Sequence, residues 1–317
     1  MNSSDSLVKV FRSVEDIPSG FGPSVAAIGN FDGVHRGHQE ILRSVVEEAR
    51  TRGARAVAVT FDPHPESVLR PQQAPKLLTP TSERLRLLAK TGVDAVLLLT
   101  FDPELARVAP REFVSRVLVE ALSVRGLHEG GNFRFGHRAA AGVKELAQFG
   151  VEFGFEVQVH RPVRVHGLEV SSSAVRELVS AGDMKRARWM LGRPFGVRST
   201  PVRDRGVGSR LLVPTVNFAP YSGLLPAYGI YVTRLTIDER CFRAVSYIGE
   251  RPTFEGAGFS IETHILDFEP VDLTESTPLY LEFLHRLRGD QKFPTPEALK
   301  AQIIKDVERS ERFFRLC

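Results

Sequence analysis

The chain has 317 residues, 42% hydrophobic and 25% charged, and 42 Lys and Arg against 38 Asp and Glu give a formal net charge of +4. That length predicts two domains, and two cysteines, Cys241 and Cys317, exclude a disulfide framework and fit a reducing, cytoplasmic setting. The N-terminal residues lack the pattern of a secretory leader. The longest apolar run, around residues 93–101, is too short to span a bilayer, so no membrane partner is expected. The mild positive excess suits anionic small molecules. No block of Lys and Arg with interleaved aromatics speaks for nucleic acid.

The first half alternates. Strand-like apolar runs at 25–28, 56–61 and 95–100 are separated by helical stretches at 39–52, 82–91 and 111–122. This predicts an α/β domain with a parallel, Rossmann-like sheet whose ligands sit at the carboxyl ends of the strands. Residues 127–130, Leu-His-Glu-Gly, interrupt an otherwise aliphatic pattern and predict an irregular strand end. Residues 171–190 read as one serine-capped helix. The texture then changes. Short β-type runs at 229–235, 242–248, 260–268 and 278–284, punctuated by Gly and Pro, predict a small antiparallel β-barrel. A C-terminal helix over 296–314 follows, with Leu299, Ile303, Ile304, Val307 and Phe314 as its packing stripe. The boundary is placed at 193/194.

The most informative segment is 29–38, Gly-Asn-Phe-Asp-Gly-Val-His-Arg-Gly-His, between the first strand and its helix. His35 and His38 at this spacing can share one side of a first helical turn. Bare amides and a positive dipole end lie beside them, and glycines allow close approach. Such a turn favours a phosphate chain. Zinc needs more ligands than this pair, and the two cysteines lie far away in sequence.

This His-x-Gly-His turn is the signature of the nucleotidyltransferase superfamily, and with residues 29–34 it resembles the prokaryotic bifunctional riboflavin kinase/FAD synthetase family. Further motifs fall in family order: Thr-Phe-Asp-Pro-His-Pro at 60–65, Gly-Asn-Phe-Arg-Phe-Gly at 131–136, Ser-Ser-Ser-Ala-Val-Arg at 171–176, Pro-Thr-Val-Asn at 214–217 and Ile-Glu-Thr-His at 261–264. The resemblance runs from about residue 25 to 314.

It implies a two-step enzyme that phosphorylates riboflavin to FMN and adenylylates FMN to FAD, with ATP as co-substrate and Mg²⁺ as cofactor. Implied catalytic residues are His35, His38, Arg176 and Glu262, the last as base for the riboflavin 5′-hydroxyl. Gly29, Asn30, Phe31, Gly37, Ser172, Ser173, Gly206 and Gly208 would bind nucleotide. Phe61, Asp62, His64, Asn132, Phe133 and Arg288 would meet the flavin. Thr215 and Asn217 offer hard oxygen ligands to the metal. The chain departs from the family at Leu212, where a Gly is usual, and in the loop before it. That departure keeps open a monofunctional FMN adenylyltransferase. A non-catalytic flavin-binding protein and another transferase with the same histidine turn, such as a cytidylyltransferase, are the further alternatives. Self-association is left open.

Overall fold

The computed structural model describes residues 8–202, 215–253, 256–266 and 273–316. By packing, the chain divides into two compact units, Met1–Ser172 and Ser173–Cys317.

The first unit opens with β1 (Lys9–Phe11), β2 (Ser24–Ile28), α1 (Arg36–Arg52) and β3 (Arg55–Asp62). Next come α2 (Pro65–Leu69), α3 (Thr81–Ala89), β4 (Ala95–Thr100) and α4 (Pro110–Phe113), which runs on as a π-wound segment, Val114–Ala121. Then follow β5 (Val124–Gly130), a hairpin of β6 (Arg134–Phe135) and β7 (Ala141–Gly142), α5 (Val143–Phe153) and β8 (Glu156–His160). A last hairpin pairs β9 (Arg164–Val165) with β10 (Leu168–Glu169). The six-stranded sheet has the order β1-β4-β3-β2-β5-β8, and every pairing in it is parallel.

The expected alternation is therefore present, and its physical cause is visible. Every residue of β2 is buried, because both faces of the sheet are covered. Ala26, Val57, Leu97 and Leu127 face one apolar cluster with Phe113, Leu118 and Leu146. Val25, Ala27, Ala58 and Val96 face another with Leu42, Val45 and Leu88. Strand order reverses between β2 and β5, which makes that crevice the switch point of the sheet.

The first unit ends at the first residue of α6 (Ser172–Ala181), and the second carries the rest of that helix, α7 (Met184–Leu191), β11 (Phe195–Ser199) and β12 (Thr215–Asn217). It continues with β13 (Gly229–Ile237), β14 (Arg240–Thr253), β15 (Gly256–Ile265), β16 (Leu279–Gly289) and α8 (Pro296–Leu316). The sheet order is β11-β16-β13-β14-β15-β12, antiparallel throughout. It curls until its outer strands meet: Val202 N donates to Asn217 O at 2.9 Å and Ala219 N to Thr200 O at 2.8 Å. Tyr231, Leu235, Ile248, Leu281 and Phe283 are buried in this unit.

Three local expectations are corrected. Residues 127–130 form a continuous strand paired with β8 through Gly130, because the polar side chains find buried partners. The single helix over 171–190 is two helices. Gly182 takes φ +77, and Asp183 caps the second helix by accepting from Arg186 N. On α8 the buried positions are Asp306 and Ser310, while Leu299, Ile303 and Ile304 are exposed. Buried Asp306 outweighs the apolar stripe there because it holds an ion pair, described below.

Candidate active sites

Residues 29–38 form a tight turn from the end of β2 into α1. Phe31 and Val34 sit at positive φ, 47 and 37, a strained conformation for side chains of their size. Buried Asp32 holds it: its carboxylate accepts from Leu78 N at 3.0 Å, Thr79 N at 2.9 Å and Thr79 Oγ1 at 3.2 Å. Gly33 N donates to Thr79 Oγ1, and Ser172 Oγ donates to Asp32 O at 2.9 Å. The last bond brings the start of the Ser-rich motif onto the histidine turn.

His35 is the N-cap of α1, and its Nδ1 accepts from His38 N at 3.3 Å. A neutral His35 ring then carries its proton on Nε2, the nitrogen suited to donating toward an anion. The two imidazoles stack, centroids 3.6 Å apart and 17° from parallel. A side chain at Gly37 would crowd the His35 ring, with its Cβ 3.1 Å from Cε1. Phe31, expected at the nucleotide, is buried and meets His38 edge to face.

Beside this turn lies a cavity of about 950 Å³. Gly29 and Asn30 form one wall, Phe61 and Phe101 another, and Asn132, Phe133 and Phe135 a third. Phe133 and Phe135 stack at 5.4 Å. Arg70, Arg107 and Arg138 also line it. Apolar faces with amide and guanidinium edges suit a flat heteroaromatic ring carrying an anionic tail. Of the expected flavin residues, Phe61, Asn132 and Phe133 are thus gathered with Gly29 and Asn30. Asp62 accepts from Thr81 Oγ1 at 2.7 Å, and His64 caps α2 by accepting from Glu66 N. Neither is a wall residue, but α2 itself contributes Pro65, Glu66, Val68 and Leu69 to the cavity.

Sequence reasoning missed Arg84. It is 1% exposed, and its guanidinium donates to Asn30 O at 3.0 Å and Phe61 O at 2.7 Å, joining two walls of the cavity. Burial pushes its pKa down, against the pull of Asp62 and Asp32. Glu129 was also missed. Its carboxyl accepts from Ile28 N at 2.6 Å, and burial raises its pKa well above the usual carboxylate value. On the other face of β5, His128 lies between Glu48 (2.8 Å) and His160 (3.0 Å).

In the second unit, Ser173 is exposed and Arg176 half-buried in the first turns of α6. Asn217 pairs directly with Glu262 across β12 and β15, and Thr215 stands two residues earlier on the same face. Hydroxyl, amide and carboxylate oxygens therefore share one face of adjoining strands, a donor set that fits a hard cation. Tyr247 is Glu262's partner on the other side, and Ser260 Oγ donates to its carboxylate at 3.0 Å. Arg288 stands near the end of β16. It donates twice to Asp306, at 2.9 and 2.8 Å, tying β16 to α8, and lies over Phe293. Gly206, Gly208 and Leu212 lie outside the described residues. No group of three or more His, Cys, Asp or Glu that could hold a metal occurs among the described residues.

A parallel sheet with a strained histidine turn and an aromatic cavity at its switch point defines a nucleotide-handling α/β domain, followed by a barrel with an Asn–Glu strand pair. Comparison makes this specific. The FAD synthetase family matches residues 18–174 and the Riboflavin kinase family residues 191–314. The bifunctional riboflavin kinase/FMN adenylyltransferase of Pseudomonas fluorescens is 38% identical over 284 residues, 89% of this chain and 90% of that protein. Its counterpart in Escherichia coli (strain K12) is 34% identical over 293 residues, 92% and 93% of the two chains. A crystal structure of a macrolide-efflux protein from Streptococcus pneumoniae superposes with a TM-score of 0.86 at 28% identity, covering 96% of this chain and 99% of that one. Among the described residues, no helix is long and apolar enough to cross a membrane.

The chain belongs to the bifunctional riboflavin kinase/FMN adenylyltransferase family. It carries both enzyme domains, with ATP and flavins as substrates, so the single-activity and non-catalytic alternatives are not favoured.

Proposed function

We propose that residues 194–317 transfer the γ-phosphate of ATP to riboflavin, giving FMN and ADP, and that residues 1–193 join FMN to the AMP part of a second ATP, giving FAD and pyrophosphate. The observation that carries this reading is the shared wall: Gly29 and Asn30 belong both to the histidine turn and to the aromatic cavity. A nucleotide on the turn and a flavin in the cavity therefore meet at the switch point.

For adenylyl transfer, the Nε2–H of His35, the His38 ring and the amides of α1 stabilise charge on the α-phosphate and the departing pyrophosphate. The functional boundary stays at 193/194, so that the whole motif at 171–176 is assigned to the adenylyltransferase half. For phosphorylation, Glu262 accepts the proton of the attacking hydroxyl. Thr215 and Asn217 would hold Mg²⁺, which neutralises phosphate charge when bound. The soluble substrates point to a cytoplasmic site of action. Incubation of the full chain with riboflavin and Mg-ATP, followed by chromatography, tests the reading. FMN then FAD is expected; absence of both would sink it.

A further inference from the structure

The sheet carries a side chain where a main-chain pairing should be. β2 pairs with β3 through Ile28, opposite Val59. Its pairing with β5 stops two residues earlier, at Ala26 opposite Leu127. β5 does not end there; it stays paired with β8 through Gly130. So β5 parts from β2 at the switch point, and Ile28 N loses its main-chain acceptor. The Glu129 carboxyl takes that place at 2.6 Å. Gly29 N, the next amide, goes the other way, to Val59 O at 2.9 Å. Ile28, Gly29 and Asn30 are all cavity wall.

We propose that Glu129 is a positioning residue for adenylyl transfer: by bridging the gap between β5 and β2 it fixes where Ile28-Gly29-Asn30 stands against bound flavin and nucleotide. This rests on the adenylyltransferase reading above. The bridge suits a neutral carboxyl. Glu129 is 3% exposed and shares its face of β5 with Leu127, which looks onto Phe113, Val117 and Leu146. Elements over that face carry Arg111, Glu112, Arg116 and Glu120 on α4 and its continuation, Arg134 on β6, and Lys144, Glu145 and Glu152 on α5. None of these is among the causes acting on Glu129, whose pKa burial raises well above the ordinary carboxylate value against the lowering pull of the Ile28 N–H. Ionising it places an uncompensated charge inside the wall.

The test compares wild type with Glu129→Leu and Glu129→Gln in the full chain. FAD formation from FMN and ATP is followed for kcat and KM as pH is raised into the alkaline range, the direction in which a buried, raised carboxyl ionises. Riboflavin phosphorylation on the same samples is the control for folding. Glu129→Leu should lose at least about tenfold in kcat/KM for FAD formation, the scale of a misplaced site wall, with phosphorylation and melting temperature kept. Glu129→Gln, whose amide oxygen still accepts from Ile28 N, should rescue most of that loss. Wild type is expected to lose rate on the alkaline side as Glu129 ionises, and Glu129→Gln should lack that fall. Wild-type kcat and KM in Glu129→Leu, or the same alkaline limb in Glu129→Gln, would overturn the proposal. If wild type itself makes no FAD from FMN, the adenylyltransferase reading has failed instead.

Discussion

His35 accepts a hydrogen bond from the backbone N–H of His38 while the two rings stack 3.6 Å apart. One histidine therefore caps the helix that carries the other, at that helix's positive end. Replacing His38 with Ala removes a ring proposed to donate to the phosphates but leaves the cap. FAD formation should fall by about 10²- to 10³-fold, the usual effect of one lost charge-stabilising donor. FMN formation from riboflavin should persist, and loss of both activities would argue against separate sites.

Glu262 and Asn217 are cross-strand partners. Glu262→Gln keeps the size and the pairing and removes the carboxylate proposed as the base. FMN formation should drop by about 10²- to 10⁴-fold, while FAD formation from supplied FMN continues. Both rates can be read by chromatography of one preparation.

Arg84 joins the carbonyls of Asn30 and Phe61 inside the first unit. Arg84→Met keeps much of the volume but strands two buried acceptors, at about 1–3 kcal/mol each. Denaturant unfolding should show a loss on the order of 2–5 kcal/mol, twice that lower figure to somewhat under twice the upper. The apparent affinity for FMN should weaken with it.

Burial lowers the pKa of both His128 and His160, and Glu48 only partly offsets this for His128. A depressed folded-state value means that the neutral rings favour the native state. That contribution is complete above the ordinary histidine value of 6.5 and is lost as pH falls through the lower folded value. Glu129 runs the other way. Its raised folded value disfavours the native state increasingly as pH rises above the carboxylate's ordinary 4.5. Melting temperature should fall below about pH 6.5 in wild type. It should fall less in His128→Leu, and scanning calorimetry across pH checks it.

The Arg288–Asp306 pair is nearly closed to solvent, with side chains 16% and 3% exposed. Asp306→Asn or Arg288→Ala alone should destabilise the second unit by about 3–5 kcal/mol, because each leaves a buried charge unmatched. Arg288→Met with Asp306→Leu should recover much of it. A flavin-binding role for Arg288 would instead show as weakened riboflavin binding in that double variant at preserved stability.

The histidine turn was legible in sequence because its chemistry and its punctuation coincide in ten residues. The sheet was legible because strands covered on both faces read as unbroken apolar runs. Arg84 was not, since an arginine in an amphipathic helix looks like a solvent-facing residue, and its acceptors lie 23 and 54 residues away. In sequence Glu129 reads as a disturbance in an aliphatic strand; its partner amide on β2, Ile28 N, explains it. The face of α8 was misjudged because periodicity weighs Leu and Ile above Asp, whereas one buried ion pair decides the docking.

The cap on α1 gives the two nitrogens of His35 unlike fates under chemical modification. An alkyl group on Nε2 blocks the nitrogen proposed to meet phosphate and leaves the helix start whole. The same group on Nδ1 strips the His38 amide of its acceptor, so that amide should exchange its hydrogen faster. Mapping which ring nitrogen has reacted would thus distinguish a poisoned site from a frayed one.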